Sequence, residues 1–375
     1  MSTHHGYFLI ADITGYTQYL SASELEHAQQ TLTALLNLLV RNTKAPLILS
    51  RLAGDAVISY GLAENFVQSQ TFVEIIETTY VSFRRAIELM TRNTTCPCNA
   101  CRNIPSLDLK FFVHFGEFAV QKLDAHDELI GSDVNLIHRL LKNHVTETTG
   151  FKAYCLFTDA ALNRLGLRSD LDHLVPLDEP YEHLGSVRVW AEDMHPVWER
   201  RKKESRITLT PDRQLFKVET DIAVSPQIVW DYLVQPDHFN VLAGGTRMEI
   251  ANRQGSRVDV GSVYECYHGD GVVHQIIVEW HPFEQLVAQY AMPIPLKGAV
   301  GFMELRLTPT DKGTRFAQIF GKSTGPFAAR LMGDIMFKAM FGKRAQVDIE
   351  RFRDHVEGDH SVHTTIASPP TSISR

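Results

Sequence analysis

Two short segments near the start of the chain each place an aspartate where an apolar run meets a glycine. They are Phe8-Leu9-Ile10-Ala11-Asp12-Ile13-Thr14-Gly15-Tyr16 and Arg51-Leu52-Ala53-Gly54-Asp55-Ala56-Val57. Tyr7 to Ala11 reads as a buried strand broken at Thr14-Gly15, and Leu47 to Leu52 with Ala56 to Tyr60 reads as a hairpin tipped by Gly54-Asp55. A strand end and a hairpin tip can bring two carboxylates close together, where like charges repel unless a cation sits between them. Oxygen-only ligation selects magnesium, manganese or calcium. Each aspartate taken alone also reads as a simple turn residue. A third segment, Gly131-Ser132-Asp133-Val134-Asn135-Leu136-Ile137-His138-Arg139, sets Asn135 and Arg139 one helical turn apart on one face. Alone they read as ordinary surface residues. With the carboxylates, they offer an amide for a ribose oxygen and a guanidinium for a phosphate.

The strand order around these segments is strand, helix, hairpin, helix, strand pair, helix, an α+β layer with a mostly antiparallel sheet. Helices are expected over Ser21 to Val40, Gln70 to Met90 and Val134 to Lys142. Leu107 to Glu117 reads as a strand, with Phe118 to Leu123 as its partner. A chain of 375 residues is long for one core. We expect a first domain over 1–193, a linker over 194–212, a second domain over 213–357 and a disordered tail over 358–375. The basic run Arg200-Arg201-Lys202-Lys203 reads as a solvated connector. A net charge of −7 argues against a nucleic-acid partner. No apolar run approaches ~20 residues, so no membrane span is expected. The polar N-terminus and an odd number of cysteines fit a cytoplasmic chain.

The three segments resemble those of class III nucleotidyl (adenylate/guanylate) cyclase domains, and the similarity extends over roughly residues 7 to 192. The resemblance implies a ferredoxin-like α+β fold and a head-to-tail homodimer with sites shared between protomers. It implies two magnesium or manganese ions per site, held by Asp12, Asp55 and the Ile13 carbonyl. Asn135 would orient the ribose of a nucleoside triphosphate, and Arg139 would neutralise the reacting phosphate. The base-selecting lysine falls on Arg51 and its acidic partner on Glu128. The late phosphate-binding lysine falls near Leu184, with Arg188 as the candidate substitute.

Cys96, Cys98 and Cys101 lie within six residues and are good soft-metal ligands, zinc first among them. Redox-active or unliganded thiols are the other readings. A fourth ligand is expected from Cys155 or a histidine such as His114.

Beyond the linker come a strand, a helix opened by Ser225-Pro226, several strands and a long closing helix. The stretches Val224 to Leu233, Val278 to Pro282 and Gly313 to Phe316 are similar to the SRPBCC superfamily (START-like, helix-grip, polyketide cyclase/dehydrase type). That resemblance implies a cavity for a small hydrophobic ligand between sheet and closing helix. Phe327, Leu331, Ile335, Met336 and Phe341 are the candidate lining, with plain core packing as the alternative. His268, His274 and His281 read as structural or exposed.

The primary expectation is a metal-dependent nucleotide cyclase, a phosphorus–oxygen lyase, regulated by a ligand in the second domain. The alternative is a degenerate cyclase-like module that binds nucleotide or only dimerises, joined to a lipid or metabolite carrier. A catalytic second domain acting on an aromatic or polyketide-like substrate is weaker, for want of an acid/base constellation.

Overall fold

The computed structural model describes residues 3–63, 69–94, 96–123, 126–167, 173–203, 206–253, 257–269, 271–291 and 298–367. They form two units, Met1–Glu204 and Ser205–Arg375.

In the first unit the chain runs β1 (Thr3–Thr14), α1 (Tyr16–Ser21), α2 (Leu25–Thr43), β2 (Ile48–Ala53), β3 (Ala56–Leu62), α3 (Ser69–Asn93), α4 (Asn99–Asn103), β4 (Asp108–Leu123), β5 (His126–Ile130) and α5 (Ser132–Arg139). It continues through α6 (Val145–Thr149), β6 (Tyr154–Thr158), α7 (Asp159–Leu165), β7 (Val175–Tyr181), β8 (Gly185–Asp193) and α8 (His195–Lys203). The sheet order is β2-β3-β1-β4-β6-β8-β7, with β5 paired to β4. Only the β4–β6 pairing is parallel among the described strands. β1 and β4 lie at the centre, and their runs Phe8 to Ala11 and Phe111 to Val113 are buried. Such unbroken apolar runs suit strands covered on both faces.

Two local expectations are corrected. Residues 118–123 continue β4 rather than turning back, and β5 is the partner. Gly116 carries no turn conformation, so nothing breaks the alternation there. The basic run is not a free connector. It ends α8, where Val197 and Trp198 are buried. Arg200 and Arg201 face the buried Glu77 of α3 at 3.9 Å, and Lys202 pairs with Glu88 at 2.6 Å.

The second unit comprises β9 (Gln214–Ile222), α9 (Pro226–Leu233), α10 (Pro236–Ala243), β10 (Arg247–Asn252), β11 (Val263–His268), β12 (Gly271–His281), β13 (Gln285–Ala291), β14 (Val300–Thr310), β15 (Gly313–Gly321) and α11 (Phe327–Ala367). Its sheet runs β10-β11-β12-β13-β14-β15-β9, antiparallel throughout, so first and last strands in sequence are neighbours. Residues 206–209, within the expected linker, strap onto this sheet. The buried carboxylates of Glu279 and Glu304 accept the N–H groups of Ile207 (3.1 Å) and Leu209 (2.9 Å). α11 extends through Ala367, past the start of the expected tail, whose last residues lie outside those described.

Candidate functional site

Asp12 stands near the end of β1, opposite Ala56 of β3 on one side and Lys110 of β4 on the other. Asp55 sits in the β2–β3 turn. Gly54 opens that turn in a left-handed conformation, φ 66°, which glycine adopts without steric cost. The Ile13 N–H donates to the Asp55 carbonyl at 3.2 Å, which ties the tip to the strand end. Burial first, and then the charge of Asp55, push the Asp12 carboxyl up to about 6, against the pull of Lys110. Burial also raises the Asp55 carboxyl. Lys110 is held low by burial, opposed by Asp12 and Glu147. Two neighbouring carboxylates that resist ionisation are short of positive charge, and one lysine does not supply it. The donor set of Asp12, Asp55 and the Ile13 carbonyl fits a hard divalent cation.

Asn135 and Arg139 are exposed on α5. A buried polar chain holds that helix in place. Asp133 accepts the Glu117 N–H at 2.7 Å and lies 3.3 Å from His114 Nε2. His114 Nδ1 is 2.8 Å from the Thr158 hydroxyl, which caps α7 by accepting the Ala161 N–H. Burial holds the His114 imidazole below its ordinary value. A neutral ring accepts the Thr158 hydroxyl at Nδ1, while Nε2 faces Asp133 without completing a hydrogen bond. Gly116 makes room for this anchor, because a Cβ there would lie 2.3 Å from Asp133 Oδ2. Gly116→Ala is expected to cost about 1–3 kcal/mol in urea unfolding. The double variant with Asp133→Gly should regain part of that, because the Oδ2, Cγ and Cβ contacts at 2.3, 2.5 and 2.6 Å all go with the side chain.

Arg51 and Glu128 pair at 3.2 Å, and Arg51 also reaches His138 Nε2 at 3.2 Å. Burial and the neighbouring guanidinium hold His138 low, against Glu128, so its ring accepts from Arg51. Both members of the ion pair are more than a third exposed, so it contributes at most about 1 kcal/mol to stability. Its value lies in holding a donor and an acceptor side by side. Leu184 is in the β7–β8 turn, and Arg188, the candidate substitute cation, is already engaged. Its guanidinium donates to Asp178 at 2.6 Å and lies 5.6 Å from the Trp190 ring. Among the described residues no hydrogen bond or ion pair joins the Asp12–Asp55 group to the Arg51–Glu128–His138 group or to Asn135 and Arg139.

Cys96, Cys98 and Cys101 converge, but the fourth member is His27 of α2. Neither expected partner is available. Cys155 is fully buried in β6, and His114 is committed to Thr158 and Asp133. Lys110, His138 and His27 were all missed from sequence. The first could have been found from strand register, the second from its position on the turn beside Asn135. No local signal marks the third.

In the second unit a cavity of about 80 Å³ is lined by Phe239, Leu242, Tyr290, Met303, Phe337 and Phe341, among others. Phe341 is where it was expected. Phe327, Leu331, Ile335 and Met336 are not in the lining, and the first three are half or more exposed. The first half of α11 carries apolar residues all round the charged stripe of Arg330, Asp334 and Lys338, so its own periodicity does not select the inward face. The charged second half does: Ile349, Phe352 and Val356 are buried, and stepping back in turns from Ile349 reaches Ala345, Phe341 and Phe337. The Gln275 and Gln318 amide oxygens are buried without a hydrogen-bond partner, and both residues line the cavity. His281 is buried against Glu279 at 2.7 Å, and the exposed His274 pairs with Glu265 at 3.2 Å.

Residues 213–357 match the family model described as "Polyketide cyclase / dehydrase and lipid transport". The second unit is an SRPBCC domain. Residues 32–149 match a model described as "Protein of unknown function (DUF2652)". The first unit is an α+β sheet with the element order expected from the three motifs. A stretch of 110 residues is 34% identical to "Uncharacterized protein Rv2561/Rv2562" of Mycobacterium tuberculosis, covering 28% of this chain and 47% of that relative's length. Among solved structures, the guanylyl cyclase Cya2 aligns at 13% identity over 51% of this chain and 92% of its own, TM-score 0.39. The adenylyl cyclase CyaB from P. aeruginosa aligns at 15% identity over 51% of this chain and 95% of its own, TM-score 0.36.

Proposed function

We propose that the first unit is one half of a divalent-metal-dependent nucleotide cyclase, acting as a homodimer on a nucleoside triphosphate to give a cyclic monophosphate and pyrophosphate. The observation that carries this reading is the placing of Asp12 and Asp55 where strand end and hairpin tip meet, with the Asp12 carboxyl raised to about 6 by burial first and by the Asp55 charge second. Asp12, Asp55 and the Ile13 carbonyl would hold magnesium or manganese, which would supply the Lewis acidity that ring closure at a triphosphate needs. The chain's own side chains bind and orient. Asn135 hydrogen-bonds the ribose, and Arg139 offsets the charge gathering on the reacting phosphate. Arg51 and Glu128 present a donor and an acceptor to the base edge, with His138 fixing the guanidinium. Asn135 and Arg139 come from the second protomer. Their exposure, and the lack of described contacts between them and the carboxylates, support that division.

The second unit takes a small, mostly apolar molecule with at least one hydrogen-bond donor. A buried acceptor without a partner costs about 1–3 kcal/mol, and a ligand hydroxyl or amine would recover this at Gln275 or Gln318. A ligand favouring one dimer arrangement would set the rate. Nucleotide supply and reduced thiols suit a cytoplasmic setting.

The pairing of Arg188 with Asp178 favours a second reading, a module that binds nucleotide without turnover. Purified protein incubated with manganese and ATP or GTP separates the two. Cyclic product that disappears in Arg139→Ala supports the enzyme. Nucleotide binding without product supports the module.

A further inference from the structure

Three sulfurs and one imidazole nitrogen meet where the connection between α3 and β4 passes the start of α2. His27 Nδ1 lies 3.2 Å from Cys98 Sγ, 3.6 Å from Cys96 Sγ and 3.8 Å from Cys101 Sγ. The four ligand atoms all fall within 4.8 Å of one another. With Zn–S near 2.3 Å and Zn–N near 2.0 Å, a tetrahedral centre sets its nitrogen-to-sulfur edges at about 3.6 Å and its sulfur-to-sulfur edges at about 3.8 Å. The observed separations bracket the first value. All the cysteines are free thiols, so no disulfide accounts for the convergence. An iron–sulfur cluster places several irons and sulfides between its cysteines and needs a wider cage than this one.

We infer that His27, Cys96, Cys98 and Cys101 bind one zinc ion, through the histidine Nδ1, and that this ion clips α2 to the α3–β4 connection. Three thiolates and an imidazole are a closed tetrahedral donor set. With no coordination position left for water or substrate, the site is structural rather than catalytic.

The surroundings preorganise the ligands. The Cys98 sulfur caps α4, accepting the Cys101 N–H at 3.4 Å, while the Cys98 carbonyl accepts the Arg102 N–H at 3.1 Å. Backbone N–H groups directed at sulfur favour the thiolate that a metal requires. Glu24, one turn before His27, accepts the Ala100 N–H at 2.9 Å, so the two segments already meet beside the ligands. Ala100, Ile104 and Leu107 anchor the connection in the core. The same connection touches the turn that follows Asp12. A Cβ on Gly15 would lie 3.2 Å from the Ser106 carbonyl. The zinc clip therefore braces the chain from Gly15 to His27, just beyond the carboxylate at the end of β1.

Elemental analysis of the full-length protein, purified without an affinity tag, should give about one zinc per chain. Cys98→Ser and His27→Ala should lose it. Cys155→Ser, outside the cluster, and His27→Cys, which restores four ligands, should keep it. Where a variant folds poorly, cobalt exchange into the wild type reads the same site, with the strong visible absorption of a tetrahedral cobalt–thiolate centre expected. Stripping zinc with a chelator should speed amide exchange across residues 96–107 and 15–27 by about tenfold or more, leaving the second unit unchanged. Protein that holds no zinc, holds iron instead, keeps zinc in Cys98→Ser/Cys101→Ser, or gives a weak octahedral cobalt spectrum would overturn the site. Unchanged exchange after complete zinc removal would overturn the brace.

Discussion

Asp55→Ala should lower manganese-dependent cyclic nucleotide formation by about a thousandfold, several kcal/mol of lost charge stabilisation, while the protein stays folded. The substitution removes one of two acidic groups that destabilise each other, so the metal-free variant should be as stable as the wild type at neutral pH or more so. The metal response should reverse that order. Manganese at a hundred times its dissociation constant stabilises the wild type by about 2.7 kcal/mol, and the variant should show little of this shift. Acidity provides a second handle. The Asp12 carboxyl is raised to about 6 in the folded protein, above its unfolded value of about 4. Its contribution to the metal-free fold is complete below pH about 4 and is lost as pH rises through about 6. Manganese, replacing the proton, should remove that loss. Turnover unchanged in Asp55→Ala would end the enzymatic reading.

Mixing two inactive proteins should restore activity. Arg139→Ala removes the phosphate cation and Asp55→Ala the metal ligand, and in a shared site these belong to different protomers. After subunit exchange, half the dimers carry one variant of each kind, and each of these holds one intact site. The mixture should recover about a quarter of the wild-type rate per chain. Protomers that built their sites alone would give no recovery. The experiment thus tests the division between the Asp12–Asp55 group and α5 independently of the dimer's detailed shape.

Much of the candidate site was legible because its parts are local. An aspartate at the end of an apolar run lies at a strand end, and a Gly-Asp between two such runs lies at a hairpin tip. The i, i+4 spacing of Asn135 and Arg139 needs only a helix. Arg51 and Glu128, singled out separately from resemblance, form a 3.2 Å contact between β2 and β5 that the sequence did not announce. Where packing decides the position of a side chain, the sequence is silent or misleading. Residues 200–203 look like a solvated connector because their partners, Glu77 and Glu88, lie on a helix far back in the chain.

The sequence by itself determined which chemistries the chain offers: paired carboxylates, a helix face with an amide and a guanidinium, a triad of thiols and a second domain with a long closing helix. Tertiary structure alone decided which groups meet. It chose His27 over His114 and Cys155 as the companion of the thiols, and Phe337 and Phe341 over Phe327 and Leu331 as the cavity wall. The reason is physical. Backbone geometry converts local spacing into local position, whereas a contact between residues dozens of positions apart depends on how whole elements share a core.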